Sequence, residues 1–382
     1  MKSVICEKFS IEFPLFAFSH CRDVVVEVSK AGGMGVLGAV DLRSAEAFET
    51  ELKWIDDHVD GKPYGVDFIV PAKFEGKGER LTNAQAAAGI PKLYKDFARN
   101  VLSKHGIDVS DLTDERFERG SKIGRNIRDQ GAQDLLDVAL SHPIALIANA
   151  LGTPPSYMLE RAKTAGVPVA ALVGAPEHAI KQAQAGVDVL IAAGTEAGGH
   201  CGEIGTLVLV PEVIDALESI GSTIPVLAAG GIVTGRQMAA CMAMGAAGAW
   251  TGSVWLTTPE AETSPVVKEK MLAATSRGTI RSKSRTGKFC RQLRSAWTDA
   301  WEEEGAPKPL PMPLQSIISD TSMSKVLKLA NGGHTGAREL ASYFVGQGVG
   351  LMKSSQSTRS VVMDFMEDYL KAAERLQGTL EA

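Results

Sequence analysis

The stretch that decides the fold is PVAALVGAPEHAIKQAQAGVDVLIAAG, residues 168–194. It opens on a short apolar run, Pro168–Val173, with no polar alternation, and closes on another, Asp188–Ala193. Strands buried on both faces of a parallel sheet read this way. Between the runs, Glu177–Ala185 has helical character and ends at Gly186, where a glycine relieves a left-handed C-cap. One strand, one helix and two turns therefore fit into about 20 residues, a repeating unit of an α/β barrel.

Working outward, six more runs of the same kind appear: Phe13–Phe18, Gly35–Val40, Tyr64–Val70, Ile144–Asn149, Pro225–Ala229 and Ala247–Thr251. Helical segments separate them, among them Asp23–Lys30, Ser44–Val59, Gln133–Leu140, Ser156–Ala165, Pro211–Ser219 and Thr234–Met244. Eight strands alternating with helices predict an α/β fold of the (β/α)8 TIM-barrel type, with a doubly wound sheet as the alternative. The barrel takes residues 1–260. A charged helical insertion, about 72–130, interrupts it after strand 3, and a mostly helical extension, 261–382, follows. In its last helix, Val362, Phe365, Met366, Tyr369, Leu370 and Ala373 recur at three-to-four spacing and predict a stripe packed on the body.

Composition narrows the function classes. The chain has 382 residues, 45% hydrophobic and 22% charged, which is ordinary for a globular protein and excludes a disordered or fibrous one. Forty basic against forty-five acidic residues leave a net charge of −5, unlike a nucleic-acid binder. Five cysteines without CxxC spacing point to reduced thiols in the cytoplasm, and no apolar leader opens the chain. The uncharged stretch 237–256 is long enough for a membrane span but is diluted by Gly245, Gly248 and Gly252, so it reads as a buried helix entering a buried strand. No HExxH, CxxC or carboxylate–histidine grouping suggests a metal.

In a barrel the chemistry sits just beyond the C-terminal ends of the strands. Ser19 and His20, Asp67, Asn149, Gly174, the loop 194–203, Gly230–Gly231 and Gly252–Ser253 occupy those places. Glycine-rich turns there expose backbone N–H groups, and the loops after the seventh and eighth strands are the usual phosphate site of the fold. They predict a phosphorylated ligand, or else turns that merely need glycine. His200, flanked by Gly198, Gly199 and Gly202, is placed to act as a general base or to be held within its own turn. The match of Gly33–Gly38 to GxGxxG is set aside, because it follows a helix and enters a strand, the reverse of a dinucleotide fingerprint.

The motifs Gly194-Thr-Glu-Ala-Gly-Gly-His200-Cys-Gly202, Pro225-Val-Leu-Ala-Ala-Gly-Gly-Ile232 and Gly245-Ala-Ala-Gly-Ala-Trp-Thr-Gly-Ser253 resemble those of the nitronate monooxygenases, formerly 2-nitropropane dioxygenases. Phe13-Pro-Leu-Phe-Ala-Phe-Ser-His20, Ala31–Gly38 and Gly346-Gln-Gly-Val-Gly-Leu351 are similar to further family segments. The resemblance implies an FMN enzyme. Gly230, Gly231, Gly252 and Ser253 would hold the phosphate. Ala17, Phe18, Ser19 and His20 would line the flavin, and Gly198 and Gly199 would approach it through backbone. His200 would take the proton α to a nitro group. A nitronate would then be oxidised with O2 to a carbonyl compound and nitrite. Three positions depart from the family: Asp67 stands where Asn is frequent, Ala193 where Gln is, and Trp250-Thr251-Gly252-Ser253 replaces Gln-Met-Gly-Thr. The basic run Arg277–Arg294 suits either a solvated face or the phosphates of NAD(P)H or a coenzyme A thioester. Two alternatives follow: a reductase using NAD(P)H with a quinone or thioester, and a non-enzymatic flavin sensor. Neither nucleic acid nor membrane is an expected partner, and a homo-oligomer fits the insertion.

Overall fold

The computed structural model describes residues 3–40, 42, 44–70, 89–119 and 129–380. The parts of the insertion at 71–88 and 120–128 lie outside the described residues. All eight apolar runs are strands: β1 (Leu15–Ser19), β2 (Met34–Gly38), β3 (Tyr64–Phe68), β4 (Leu146–Asn149), β5 (Val169–Val173), β6 (Val189–Ala193), β8 (Val226–Ala229) and β9 (Gly248–Thr251). They pair in parallel in that order, and β9 returns to β1 with Ala17 opposite Thr251, which closes the barrel. The intervening β7 (Gly199–His200) belongs to a second sheet. The stretch 237–256 is, as read, mostly a helix entering a strand, and no helix among the described residues is long and apolar enough to cross a membrane.

Alternation along the strands sorts side chains inward and outward. Phe16, Met34, Val36, Leu146, Ile191, Leu227 and Trp250 fill the interior. A short helix that periodicity did not reveal, α1 (Val4–Phe9), adds Ile5, Cys6 and Phe9 to the same cluster, with Phe9 edge-on to Phe16 at 5.5 Å. It packs against the interior cluster at the N-terminal end of the barrel and closes that end. At that plugged end, His142 is clamped by Asp56 at 2.6 Å and Glu49 at 2.9 Å, tying α3 (Ala45–His58) to the start of β4.

Glycines inside strands mark close backbone approach. At Gly35, in β2, a Cβ would lie 2.2 Å from the carbonyl oxygen of Val25 in α2 (Arg22–Lys30). The other glycines of the GxGxxG lookalike serve packing too, Gly33 against the Leu15 oxygen and Val28, and Gly38 against the His20 ring. Gly35→Ala is expected to cost roughly 2–3 kcal/mol, since overpacked backbone has nowhere to move. Urea unfolding midpoints would show it, and an unchanged midpoint would contradict the contact.

Beyond the barrel lie β10 (Thr279–Ser282), β11 (Cys290–Leu293) and several helices. The last helix, Thr358–Gly378, docks where Gly235 leaves no room for a side chain: a Cβ there would lie 1.8 Å from the Phe365 oxygen. Its buried stripe is Val361, Val362, Phe365, Met366 and Ala372. Leu370 and Ala373, expected in that stripe, face solvent instead, because the helix is gripped over its first turns and runs on past its support.

Candidate active site at the barrel mouth

The uppermost inward layer forms the floor of the mouth. Phe18, Ala193, Ala229 and Trp250 belong to the interior cluster, and Phe18 stacks on Trp250 at 6.5 Å. Asp67 lies between Val66 and Phe68, which pack outward, so it points inward with this layer. It is 4% exposed, and burial alone pushes its carboxyl up to about 8. At neutral pH it is therefore a protonated acid that can donate a hydrogen bond. His20, at the rim, turns its ring against Phe18 and sets Nδ1 3.1 Å from the Gly38 oxygen.

Some candidates are turned away. Ala17 is fully buried among outward-packing residues. The Ser19 hydroxyl accepts from the Cys21 N–H at 3.1 Å. The Thr251 hydroxyl donates to the Phe16 oxygen at 2.8 Å and accepts from the Trp255 indole at 3.0 Å. These three offer a ligand only backbone atoms. Asn149 is spent on its loops, accepting from Val70 N and donating to Gly152 O.

The glycine loops divide into closed and open positions. A Cβ at Gly194 would lie 2.2 Å from the Thr206 hydroxyl, and at Gly198 2.7 Å from the Gly346 nitrogen. Glu196 explains the first crowding: its carboxylate accepts from the N–H and hydroxyl of Thr206, both at 2.9 Å, capping the helix Thr206–Ser219. Gly199, by contrast, has φ +76° and nothing within 4 Å of a Cβ, and at Gly252 the nearest atom is Phe18 Cδ1 at 3.9 Å. Gly230 and Gly231 hold φ of +108° and +69° after β8. A Cβ at Gly230 would lie 2.6 Å from the Thr206 hydroxyl and one at Gly231 3.0 Å from Glu196 Cβ, so these two are closed like Gly194. Gly199 and Gly252 leave backbone bare at the mouth, which suits a flat cofactor with a phosphate tail. The C-terminal segment completes it. Gly346 N donates to the Ser253 hydroxyl at 2.8 Å, Gln347 N to the Glu196 oxygen at 2.9 Å, and a Cβ at Gly348 would sit 2.6 Å from the Gly231 oxygen.

His200 stands on β7, which pairs with β11 so that Cys290 faces His200 and Arg291 faces Gly199. Its Nε2 is 2.9 Å from the Thr286 hydroxyl. That hydroxyl also lies 3.1 Å from the Lys288 oxygen, and with its proton given to that carbonyl we assign the imidazole proton to Nε2. Nδ1 keeps its lone pair and makes no hydrogen bond among the described residues. Burial, then the Lys288 charge, lowers the imidazole to about 4, leaving it neutral at pH 7.

Thr286 and Thr206 were not singled out by sequence, whereas Lys288 and Arg291 were named as members of the basic run. That run is neither simply a solvated face nor a row of free cations. Arg291 is 7% exposed and donates to the Thr195 oxygen at 2.8 Å, holding the His200 loop. Arg294 pairs with Asp299 at 2.8 Å. No group of three or more His, Cys, Asp or Glu among the described residues is arranged to hold a metal.

A parallel barrel, plugged below and opening above onto bared glycines, a buried acid and a neutral histidine, defines a cofactor-dependent enzyme of the flavin-barrel class. The nitronate monooxygenase family model matches residues 2–368, and the chain belongs to that family. It is a flavin-dependent oxidoreductase. A Mycobacterium tuberculosis protein carrying a provisional monooxygenase name is 51% identical over 382 residues, the whole of both chains. A Staphylococcus aureus protein provisionally named a nitronate monooxygenase is 24% identical over 360 residues, 91% of each. Among solved structures, nitroalkane oxidase from Streptomyces ansochromogenes superposes with a TM-score of 0.78 at 23% identity, covering 98% of this chain and 100% of that one. FabK from Thermotoga maritima gives 0.71 at 24%, covering 99% of each, and both likenesses speak to the fold.

Proposed function

We propose that the protein is an FMN-dependent nitronate monooxygenase that converts alkyl nitronates with O2 to a carbonyl compound and nitrite, with His200 as general base. The observation that carries this reading is the setting of His200: neutral at pH 7, its Nε2 2.9 Å from the Thr286 hydroxyl, and its Nδ1 without a hydrogen-bond partner among the described residues. A base so held takes the α-proton of a nitroalkane and yields the nitronate. FMN, when bound, supplies the one-electron chemistry and the reaction with O2.

In this reading Gly230, Gly231, Gly252 and Ser253 hold the phosphate through backbone. Phe18, His20, Asp67 and Ala193 surround the ring, with Ala17, Ser19, Trp250 and Thr251 beneath and beside it. Gly194, Gly198 and Gly199 form the opposite wall. Asp67, kept protonated by burial, donates as an amide would, which accommodates the departure from the family's Asn. Ala193 has no polar side chain and leaves its side of the flavin to backbone. All five cysteines are free, which fits the cytoplasm.

The test is aerobic turnover of propyl nitronate, with nitrite, aldehyde and O2 uptake measured together and NADH or NADPH consumption measured separately. Nitrite release matched by aldehyde, without nicotinamide consumption, is expected. Nicotinamide oxidation driving reduction of a quinone or an enoyl thioester would move the protein to the reductases.

A further inference from the structure

Two glycines in succession make the loop after β8 easy to turn. Neither Gly230 nor Gly231 has a Cβ to restrict φ, so the peptide plane between them flips readily unless something grips it. The grip comes from another loop. The Thr206 hydroxyl, at the start of the helix Thr206–Ser219, stands 3.1 Å from the Gly230 oxygen and 3.2 Å from the Ala229 oxygen. Carbonyls only accept, so the hydroxyl donates, sharing its one hydrogen between them and the Glu196 carboxylate at 2.9 Å. The Ala229 oxygen has a second donor in the Gly194 N–H at 3.0 Å, and the Gly231 oxygen is held by the Gln237 amide at 2.8 Å. The Gly230 oxygen has no donor but Thr206 among the described residues.

The direction of that carbonyl fixes what the loop presents on its other side. These peptide bonds are trans, so each N–H points opposite to the preceding carbonyl. With the Ala229 and Gly230 oxygens turned to Thr206, the N–H groups of Gly230 and Gly231 both turn away from it. Neither N–H has a hydrogen-bond partner among the described residues. Adjacent free N–H donors on one side of a turn form a concavity that binds anions. Glu196 braces the arrangement. Its carboxylate accepts from the Thr206 N–H at 2.9 Å, its carbonyl accepts from the Gln347 N–H at 2.9 Å, and its Cβ packs where a Cβ on Gly231 would come to 3.0 Å. Glu196 belongs to the loop that carries His200, so the glycine turn and the base are tied through one side chain.

We infer that Thr206 is the positioning residue of the phosphate seat: its hydroxyl holds the Gly230–Gly231 peptide in the orientation that aims the Gly231 N–H at a phosphate monoester. The inference rests on the proposed placement of the FMN phosphate at these glycines and adds the residue that sets them. In Thr206→Val a methyl replaces the hydroxyl, the Gly230 carbonyl loses its donor, and the plane is free to turn its oxygen toward the incoming anion.

The test is fluorescence titration of the flavin-stripped full-length protein with FMN and with riboflavin, which lacks only the phosphate. The wild type is expected to prefer FMN strongly. In Thr206→Val the Kd for FMN is expected to rise roughly 10–100-fold, the worth of a hydrogen bond to a charged group. The Kd for riboflavin should stay within about 2-fold, and Thr206→Ser should restore FMN binding. The phosphorus NMR resonance of bound FMN should shift in Thr206→Val and return in Thr206→Ser. Equal weakening of both flavins would overturn the inference, because it would mark a loss of general packing. So would an unchanged FMN affinity. A wild type that binds riboflavin as tightly as FMN would overturn the phosphate seat itself, and the inference with it. If Thr206→Val does not fold, Thr206→Cys, whose thiol is a weak donor, carries the same comparison.

Discussion

His200→Asn is expected to keep the fold and the flavin yet lower turnover of a neutral nitroalkane by about 10²–10⁴-fold, the usual worth of a positioned general base. Asparagine ends near the position of Nδ1 and gives up the contact with the Thr286 hydroxyl, but β7 pairs with β11 through backbone and should remain paired. What disappears is the lone pair on Nδ1. Preformed nitronate has already lost the α-proton, so its oxidation should fall much less. That contrast, measured by nitrite release from nitroethane and from its nitronate at pH 7, isolates the proton transfer. Undiminished nitroethane turnover would remove His200 as the base. An equal, large loss on both substrates would assign it to binding.

A second large effect is expected at Asp67. Its carboxyl is raised from an ordinary value near 4 to about 8 by burial. Between those values the folded protein keeps a proton that the unfolded chain has released, so stability falls as pH rises from about 4 to about 8 and then levels off. Four pH units correspond to as much as about 5 kcal/mol. Asp67→Asn removes this dependence while retaining a donor of similar shape. The variant should match the wild type near pH 4–5 and exceed it at pH 9, by urea unfolding of the flavin-free protein. Parallel pH–stability curves would show that Asp67 is ionised in the fold at neutral pH.

The barrel was legible because parallel strands buried on both faces leave uninterrupted apolar runs, and the turns between them are marked by glycine, as at Gly166 and Gly186. The helix after β6 was read as starting at Pro211, yet it begins at Thr206. Pro211 sits inside it, after a first turn, Thr206–Val210, that is apolar and largely β-branched and so carries no helical periodicity. The glycine loops were legible for a similar reason, since few other residues can sit where backbone must be bared.

The partner of His200 was not. Thr286 and Lys288 lie more than 80 residues downstream, in the turn between two strands whose buried side chains include Ser282, Cys290, Arg291 and Gln292. A sheet with a polar interior has no hydrophobic alternation to betray it, and the cations around it read as surface. The floor carried a different ambiguity: Asp67 and Trp250 occupy amide positions of the family, and only burial and stacking reveal a neutral acid and a packed ring.

The measurement that tests the account most directly is anaerobic bleaching of the FMN-loaded protein, following the flavin band after separate additions of propyl nitronate, NADH and NADPH. Prompt reduction by nitronate and none by either nicotinamide is the predicted result. Fast reduction by a nicotinamide with no response to nitronate would contradict it.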